Sequence, residues 1–323
     1  MWKRAKSLQL GVVNFRTRHL GKRRRDTINA QRALTNTYWN LFEIRTCTKV
    51  QQDILNAQWW TRPSILSWII WPWKPVHTPY VVALDDLTRS FWLLGDRNSS
   101  RETGERAVVI SSRYLGLDDP ITLNAMFNLA RMYLHLGQHV KSHDLLVHVF
   151  QKRMHFFGPD HPATLMVRNE LGVCLYIQKV KLDEAEYHVH GALEARKRVL
   201  GEEHAYTLWS VNDLSKIYCE FRRFDEAAHI LEILPIVERT LGESHVGMTM
   251  TRSNLCRAYS HGDNWSDVSK LIRKDREVVP RKPSRLDYGQ LGLCFYACPR
   301  EAMEWGRGTL LRPFLQDSRD HRA

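Results

Sequence analysis

A Leu-Gly turn, a short polar link and a helix with a leucine and an aromatic at fixed offsets recur along this chain. With the residue that opens each unit as position zero, the openings are Thr27, Tyr80, Thr122, Thr164, Thr207 and Met248. Seven residues on stand Leu34, Leu87, Leu129, Leu171, Leu214 and Leu255. Eleven on stand Tyr38, Phe91, Tyr133, Leu175, Tyr218 and Tyr259. The successive spacings are 53, 42, 42, 43 and 41 residues. A unit of this size cannot bury its apolar face alone, so neighbours must stack. The period therefore predicts an all-α array of stacked helix–turn–helix repeats, elongated because each unit touches only adjacent ones.

The third unit shows how one repeat is built. Gly116 follows a helix end and can take the left-handed conformation that closes the last carbonyls. Asp119 suits the N-cap and Pro120 the first helical position, where its missing N–H costs nothing. Leu123, Met126, Leu129, Ala130 and Tyr133 then recur at helical spacing, and Gly137 breaks the chain before a second helix from about Ser142 to Phe156. The turn glycine recurs as Gly21, Gly158, Gly201 and Gly242. Three residues before the zero positions stand His77, Asp119, His161, His204 and His245. Their ~42-residue period places each on a different rung, so they read as helix starters and not as metal ligands.

Extended to the whole chain, this register predicts helix pairs at 27–59, 80–115, 120–157, 162–200, 205–241 and 246–278. Trp2, Ala5, Leu8, Val12, Arg16 and Leu20-Gly21 match the second-helix pattern of Ala185, Arg196 and Leu200-Gly201. Residues 1–19 thus read as a half repeat, a second helix without its first. The solenoid is expected over 1–278, a degenerate seventh repeat or cap with Leu291, Gly292 and Phe295 over 279–315, and a disordered tail over 316–323. Leucine at position seven, with Tyr133 and Tyr218, is assigned to the core.

Charge is uneven. The net charge is +12, but residues 1–25 carry nine Lys/Arg and no acid, residues 270–323 are +5, and the middle is −2. A nucleic-acid binder usually carries its basic stripe on the folded body; here the ends are basic. The six scattered Cys read as free thiols in a reducing compartment, and the basic N-terminus lacks the apolar core of a secretory signal. No run approaches the ~20 apolar residues of a membrane span. Cytoplasm or nucleus is the expected location.

The segments FGPDHPATL (157–165), LGEEHAYTLWSVNDLSKIY (200–218) and LGESHVGMTMTRSNLCRAY (241–259) resemble the tetratricopeptide repeat of the ~42-residue type. Kinesin light chains carry this type, as do the C-terminal arrays of fungal NLR-like proteins, where a nucleotide-binding NB-ARC module precedes the repeats. The resemblance covers roughly residues 2–278. It implies a right-handed α-solenoid and a protein-binding module, with the fungal arrays adding the expectation of a sensor segment. No Gly-x-x-x-x-Gly-Lys-Ser/Thr loop is present in the sequence, so nucleotide hydrolysis is not carried over.

By the same resemblance the first helix of each unit lines a concave groove, with positions two, five, nine, twelve and thirteen facing outward. The candidate partner-binding residues are then Asn29, Arg32, Asn36 and Trp39, followed by Asp85, Arg89 and Trp92, then Asn124, Phe127 and Arg131 with His135. Asn169, Trp209, Asn212, Lys216 and Arg257 continue the series, with Tyr176, Glu220 and Ser253. Asparagine can clamp a peptide backbone, a ladder of position-nine cations would favour an acidic partner, and Trp and Phe supply anchors.

The first spacing is longer than the others, and the excess falls in WWTRPSILSWIIWPWKP (59–75), which reads as a hydrophobic elaboration or a docking wedge. Lys22-Arg23-Arg24-Arg25 reads as a solvated inter-repeat loop, with nuclear import or phosphate contact as the alternative. No Gly-x-Ser-x-Gly, His-Glu-x-x-His or Cys-x-x-Cys occurs, and His188 and His190 point apart on a helix. The expected function is a non-enzymatic scaffold for a protein or peptide partner, without cofactor, metal or small-molecule substrate. Nucleic-acid or anionic-surface binding through the basic termini is the alternative.

Overall fold

In the computed structural model the described residues are 2–41, 43–57, 78–179, 181–242, 246–261 and 267. The expectations for 59–75, 279–315, 316–323 and, Asp267 apart, the second helix of the sixth repeat lie outside them. The described residues contain helices and turns and no strand. The chain divides into two compact units, 1–201 and 202–323.

The first unit holds α1 (Trp2–Leu20), α2 (Arg25–Asn40), α3 (Ile44–Ala57), α4 (Thr78–Leu93), α5 (Arg97–Tyr114), α6 (Pro120–His135), α7 (His139–Phe157), α8 (Pro162–Gln178) and α9 (Leu182–Leu200). Each helix packs on the next, and the first helices α4, α6 and α8 also touch in sequence. The helix pairs start and end within two residues of the boundaries the register predicts, while α7 begins at His139, three residues before the expected Ser142. All six position-seven leucines are buried, as are all six position-zero residues. Each such leucine contributes about 1.5–3 kcal/mol by leaving water.

Within a hairpin the two helices are locked at one recurring place. Twenty residues after position zero, Cys47, Ser100 and Ser142 donate to the carbonyls of Thr35, Thr88 and Ala130 at 3.6, 2.8 and 2.8 Å. In the fourth repeat that carbonyl position is Gly172. A Cβ there would lie 2.5 Å from Val189 Cγ2 and 2.9 Å from the Ala185 carbonyl, so α8 and α9 approach as closely as they do only because the side chain is absent.

Helix starts follow the polar-residue reading. Asp119 accepts from the Ile121 N–H at 2.9 Å, and His161 and His204 accept through Nδ1 from the Ala163 and Tyr206 N–H groups at 3.2 Å. Gly158 and Gly201, at φ 84° and 91°, close α7 and α9 in the left-handed region. Among the described residues no group of three or more His, Cys, Asp and Glu is placed to hold a metal, and no helix is long and apolar enough to cross a membrane.

The second unit contains α10 (Ala205–Glu220), α11 (Phe224–Ile230), a 3₁₀ turn (Leu231–Ile233), α12 (Leu234–Leu241) and α13 (Val246–His261). The break in the second helix of this repeat is a departure from the regular pattern. Pro235 has no N–H to offer the carbonyl four residues back, and its ring crowds that carbonyl. The path resumes as α12 with the proline in its first turn. Leu208, Val237 and Met248 form the core that α10, α12 and α13 share.

Candidate partner-binding face

The first helices of the first unit present one face built from α2, α4, α6 and α8. Aromatic and cationic groups meet there across repeats. The Arg89 guanidinium lies 5.7 Å from the Trp39 ring centre. Trp92 stacks on His135 at 4.9 Å, and Arg97 approaches the same indole at 6.0 Å. His135 keeps an edge open to solvent, yet burial of the rest of the ring, with Arg131 and Arg97 nearby, pushes its imidazole down to about 4. It is therefore a neutral stacking partner at physiological pH. Asn29 and Asn36 are exposed on α2.

Position nine carries a cation in the second, third, fifth and sixth repeats, and each already holds a carboxylate. Arg89 pairs with Asp86 one helical turn back, and Arg131 pairs with Glu170 of the next repeat at 3.2 Å. In the second unit Lys216 pairs with Asp213 at 3.0 Å and Arg257 with Glu220 at 3.4 Å. The ladder is thus internally compensated, which removes most of its pull on an acidic ligand. The two pairs of the first unit are the more exposed, and exposed pairs are worth about 0.2–1 kcal/mol each, so a ligand can displace those two at small cost.

Position five does not face outward, which corrects the reading of five residues. Arg32 donates to the Pro79 carbonyl at 2.8 Å, and Asp85 accepts from Asn128 Nδ2 at 2.9 Å through both oxygens. Phe127 is buried in the core of α6 to α8, with the Arg153 and Arg131 guanidinia 5.3 and 5.9 Å from its ring centre. Asn169 is buried and accepts from Arg196 at 3.4 Å. Asn212 is buried too; it donates to Thr251 at 2.9 Å and accepts from Asn254 at 3.1 Å. Two of the five share one geometry, in which position five lies in the seam and position six of the next repeat reaches it. Asn128 meets Asp85 and Asn254 meets Asn212 in that way. Phe127 offers no donor, so the Glu170 carboxylate at position six turns to Arg131 instead.

Burial raises the Asp85 carboxyl from 3.8 to about 6, with Asp86 adding to the rise and the Asn128 hydrogen bond and Arg89 opposing it. Asn124 is exposed but accepts from Arg153 Nη2 at 2.6 Å. Trp209, on α10, is 43% exposed and sits edge-on to Tyr206 at 5.8 Å.

Arg16 and Arg196 helped to set the second-helix pattern in the sequence, but the bonding role of this arginine position did not emerge there. Arg16 and Arg153, eleven residues before position zero, donate to the carbonyls of Asp26 and Ala163 at 3.0 and 2.9 Å. Arg196, in the same register, reaches Leu165 at 3.4 Å. Arg153 and Arg196 are almost wholly buried, and desolvation lowers Arg153 to about 10. The signal was their fixed place four residues before the turn glycine's neighbour at Leu20, Phe157 and Leu200.

Comparison with known proteins places this geometry. Residues 122–163 and 179–233 match models of the tetratricopeptide repeat. A human clustered mitochondria protein homolog is 24% identical over 171 residues, 53% of this chain and 13% of that protein; the chain thus spans only a small part of this relative. A Podosopora anserina structure of kinesin-light-chain type, with nearly identical TPR-like repeats, is 24% identical with a TM-score of 0.54, covering 62% of this chain and 95% of its own. BtubC (BKLC) from P. vanneervenii is 17% identical with a TM-score of 0.58, covering 75% and 95%. The chain carries tetratricopeptide repeats, and its fold is that of the all-α solenoids built from stacked helix hairpins.

Proposed function

We propose that this chain is a non-enzymatic protein-interaction scaffold that holds an extended partner segment on the first-helix face of its first unit. The observation that carries this reading is the set of groups on that face: half-buried Trp39 and Trp92 against exposed Arg89 and His135, beside exposed Asn29 and Asn36. Tryptophan and arginine are the residue types that dominate interface energetics. Asparagine can pair with a backbone of any sequence. The compensated cations argue for a ligand read through its backbone and its apolar or aromatic side chains more than through acidic ones. A sensor segment of the fungal NLR-like kind is the finer role that the sequence resemblance suggests.

A random peptide library displayed on phage tests the reading. Wild-type protein should enrich peptides that Trp92→Ala and Asn36→Ala lose by about tenfold or more, with the helical signal unchanged. Failure to enrich any peptide, or enrichment indifferent to both changes, would sink it. Binding of single-stranded RNA that falls steeply with salt and is lost on charge reversal of Lys22–Arg25 would support the basic-terminus reading instead.

A further inference from the structure

We infer that the second-helix side of the first unit carries a docking site for a lysine side chain of a partner polypeptide. A cavity of about 440 Å³ opens between α3, α4 and α5. Leu55 and Leu87 are buried and Phe91 is half-buried, and these three supply its apolar floor. Asp53 of α3 and Glu102 of α5 are exposed at its rim. Neither carboxylate has a partner among the described residues.

The register explains why the space is open. Position eleven of one repeat faces position twenty-five of the repeat before it. In the third repeat Tyr133 fills this place, and its hydroxyl donates to Glu105 at 3.0 Å. In the second repeat the same two positions are Phe91 and Gln52, and both line the cavity. Phenylalanine lacks the hydroxyl that would bridge α4 to α3. The gap thus follows from one missing oxygen inside the array.

Charge sets the chemistry of the occupant. Arg106 also lines the cavity, but its Nη2 is committed to the Tyr80 hydroxyl at 3.2 Å. Two carboxylates against one guanidinium leave the described lining net negative. An apolar floor under an acidic rim complements a long aliphatic stem with a cationic end. Lysine suits it better than arginine. Its ammonium is a compact charge with three rotatable donors, which can serve carboxylates on two different helices, whereas the planar guanidinium favours one carboxylate held bidentately.

Labelled Ser/Ala peptides that differ only at a central residue test this; that residue is Lys, ε-N-acetyl-lysine or norleucine. Fluorescence anisotropy should show the Lys peptide binding at least about fivefold more tightly than the other two, the scale of two exposed ion pairs. The difference should shrink as salt rises. Asp53→Asn combined with Glu102→Gln should erase the preference and leave circular dichroism unchanged, since both groups are exposed. Phe91→Tyr alters no charge, yet it should fill the cavity, reach Gln52 and weaken the Lys peptide by a similar factor. Asn36→Ala should leave the preference intact, which separates this site from the first-helix face. Equal binding of the Lys and acetyl-lysine peptides, or insensitivity to the double change or to Phe91→Tyr, would overturn the inference. So would spermine binding in a protein that ignores all the peptides. Self-association abolished both by the double change and by charge reversal of Lys22–Arg25 would assign the cavity to a second copy instead. A several-fold gain in Lys-peptide affinity on changing Arg62 and Lys74 to Ala would assign it to the chain's own cations and overturn the inference equally.

Discussion

Asp85→Asn should stabilise the protein at neutral pH and do nothing of the kind in acid. Asp85 sits in the seam between α4 and α6, and its carboxyl is raised from 3.8 to about 6 chiefly by burial. A raised carboxyl means the native state disfavours the charged form. Below about pH 4 both folded and unfolded chains hold the proton, and no penalty exists. Between about 4 and 6 the native state binds more protons than the unfolded one, so stability falls as pH rises. Above about 6 the whole penalty is present. One pKa unit is worth about 1.4 kcal/mol, which makes that penalty about 3 kcal/mol. Asparagine keeps the acceptor that Asn128 uses at 2.9 Å but adds a donor of its own in the seam, so the net gain should be about 1–2 kcal/mol. For a domain of this size that is about 3–6 °C in melting temperature. Thermal unfolding by circular dichroism at pH 7.5 and pH 4 measures it. The variant's advantage should appear at pH 7.5 and vanish at pH 4. An equal shift at both values, or a loss at pH 7.5, would refute the assignment of a protonatable, desolvated carboxyl to this seam.

Four further substitutions probe the packing. Tyr133→Ala should cost about 3–5 kcal/mol, because the ring is buried and its hydroxyl donates to Glu105 of the preceding repeat at 3.0 Å; wild-type-like melting would show the register to be wrong. Gly172→Leu should destabilise by at least about 1–3 kcal/mol through collision with Val189 and the Ala185 carbonyl, whereas Gly158→Ala, with nothing near its Cβ, should cost only the strain of its positive φ. Arg153→Met should lose about 2–3 kcal/mol in chemical denaturation, since the Ala163 carbonyl and Asn124 Oδ1 lose their donor; an unchanged midpoint would mean that water replaces the guanidinium.

The repeat period by itself determined where the helices of the first unit lie and which leucines form the core. A seven-residue offset from a turn to a leucine has one meaning in a helical hairpin, and every such leucine is buried. The sequence also held the capping residues, because an N-cap is a local event: Asp119, His161 and His204 bond N–H groups two residues away. The direction that each polar position faces was not local. Position five and position nine both fall on the helix side away from the leucine, and a helical wheel cannot say which one meets the next repeat. That depends on how consecutive first helices cross, and the crossing puts Asp85 and Asn212 against Asn128 and Asn254 while leaving Arg89 at the surface. Position six did carry a readable signal, since Asp86, Asn128, Glu170, Asp213 and Asn254 place a hydrogen-bonding group on five successive rungs. Only the packed structure showed that these groups serve the seam and neutralise the cations. A charge acts over the distance to its partner in space, and the partners of Arg131 and Arg257 lie a whole repeat away in sequence.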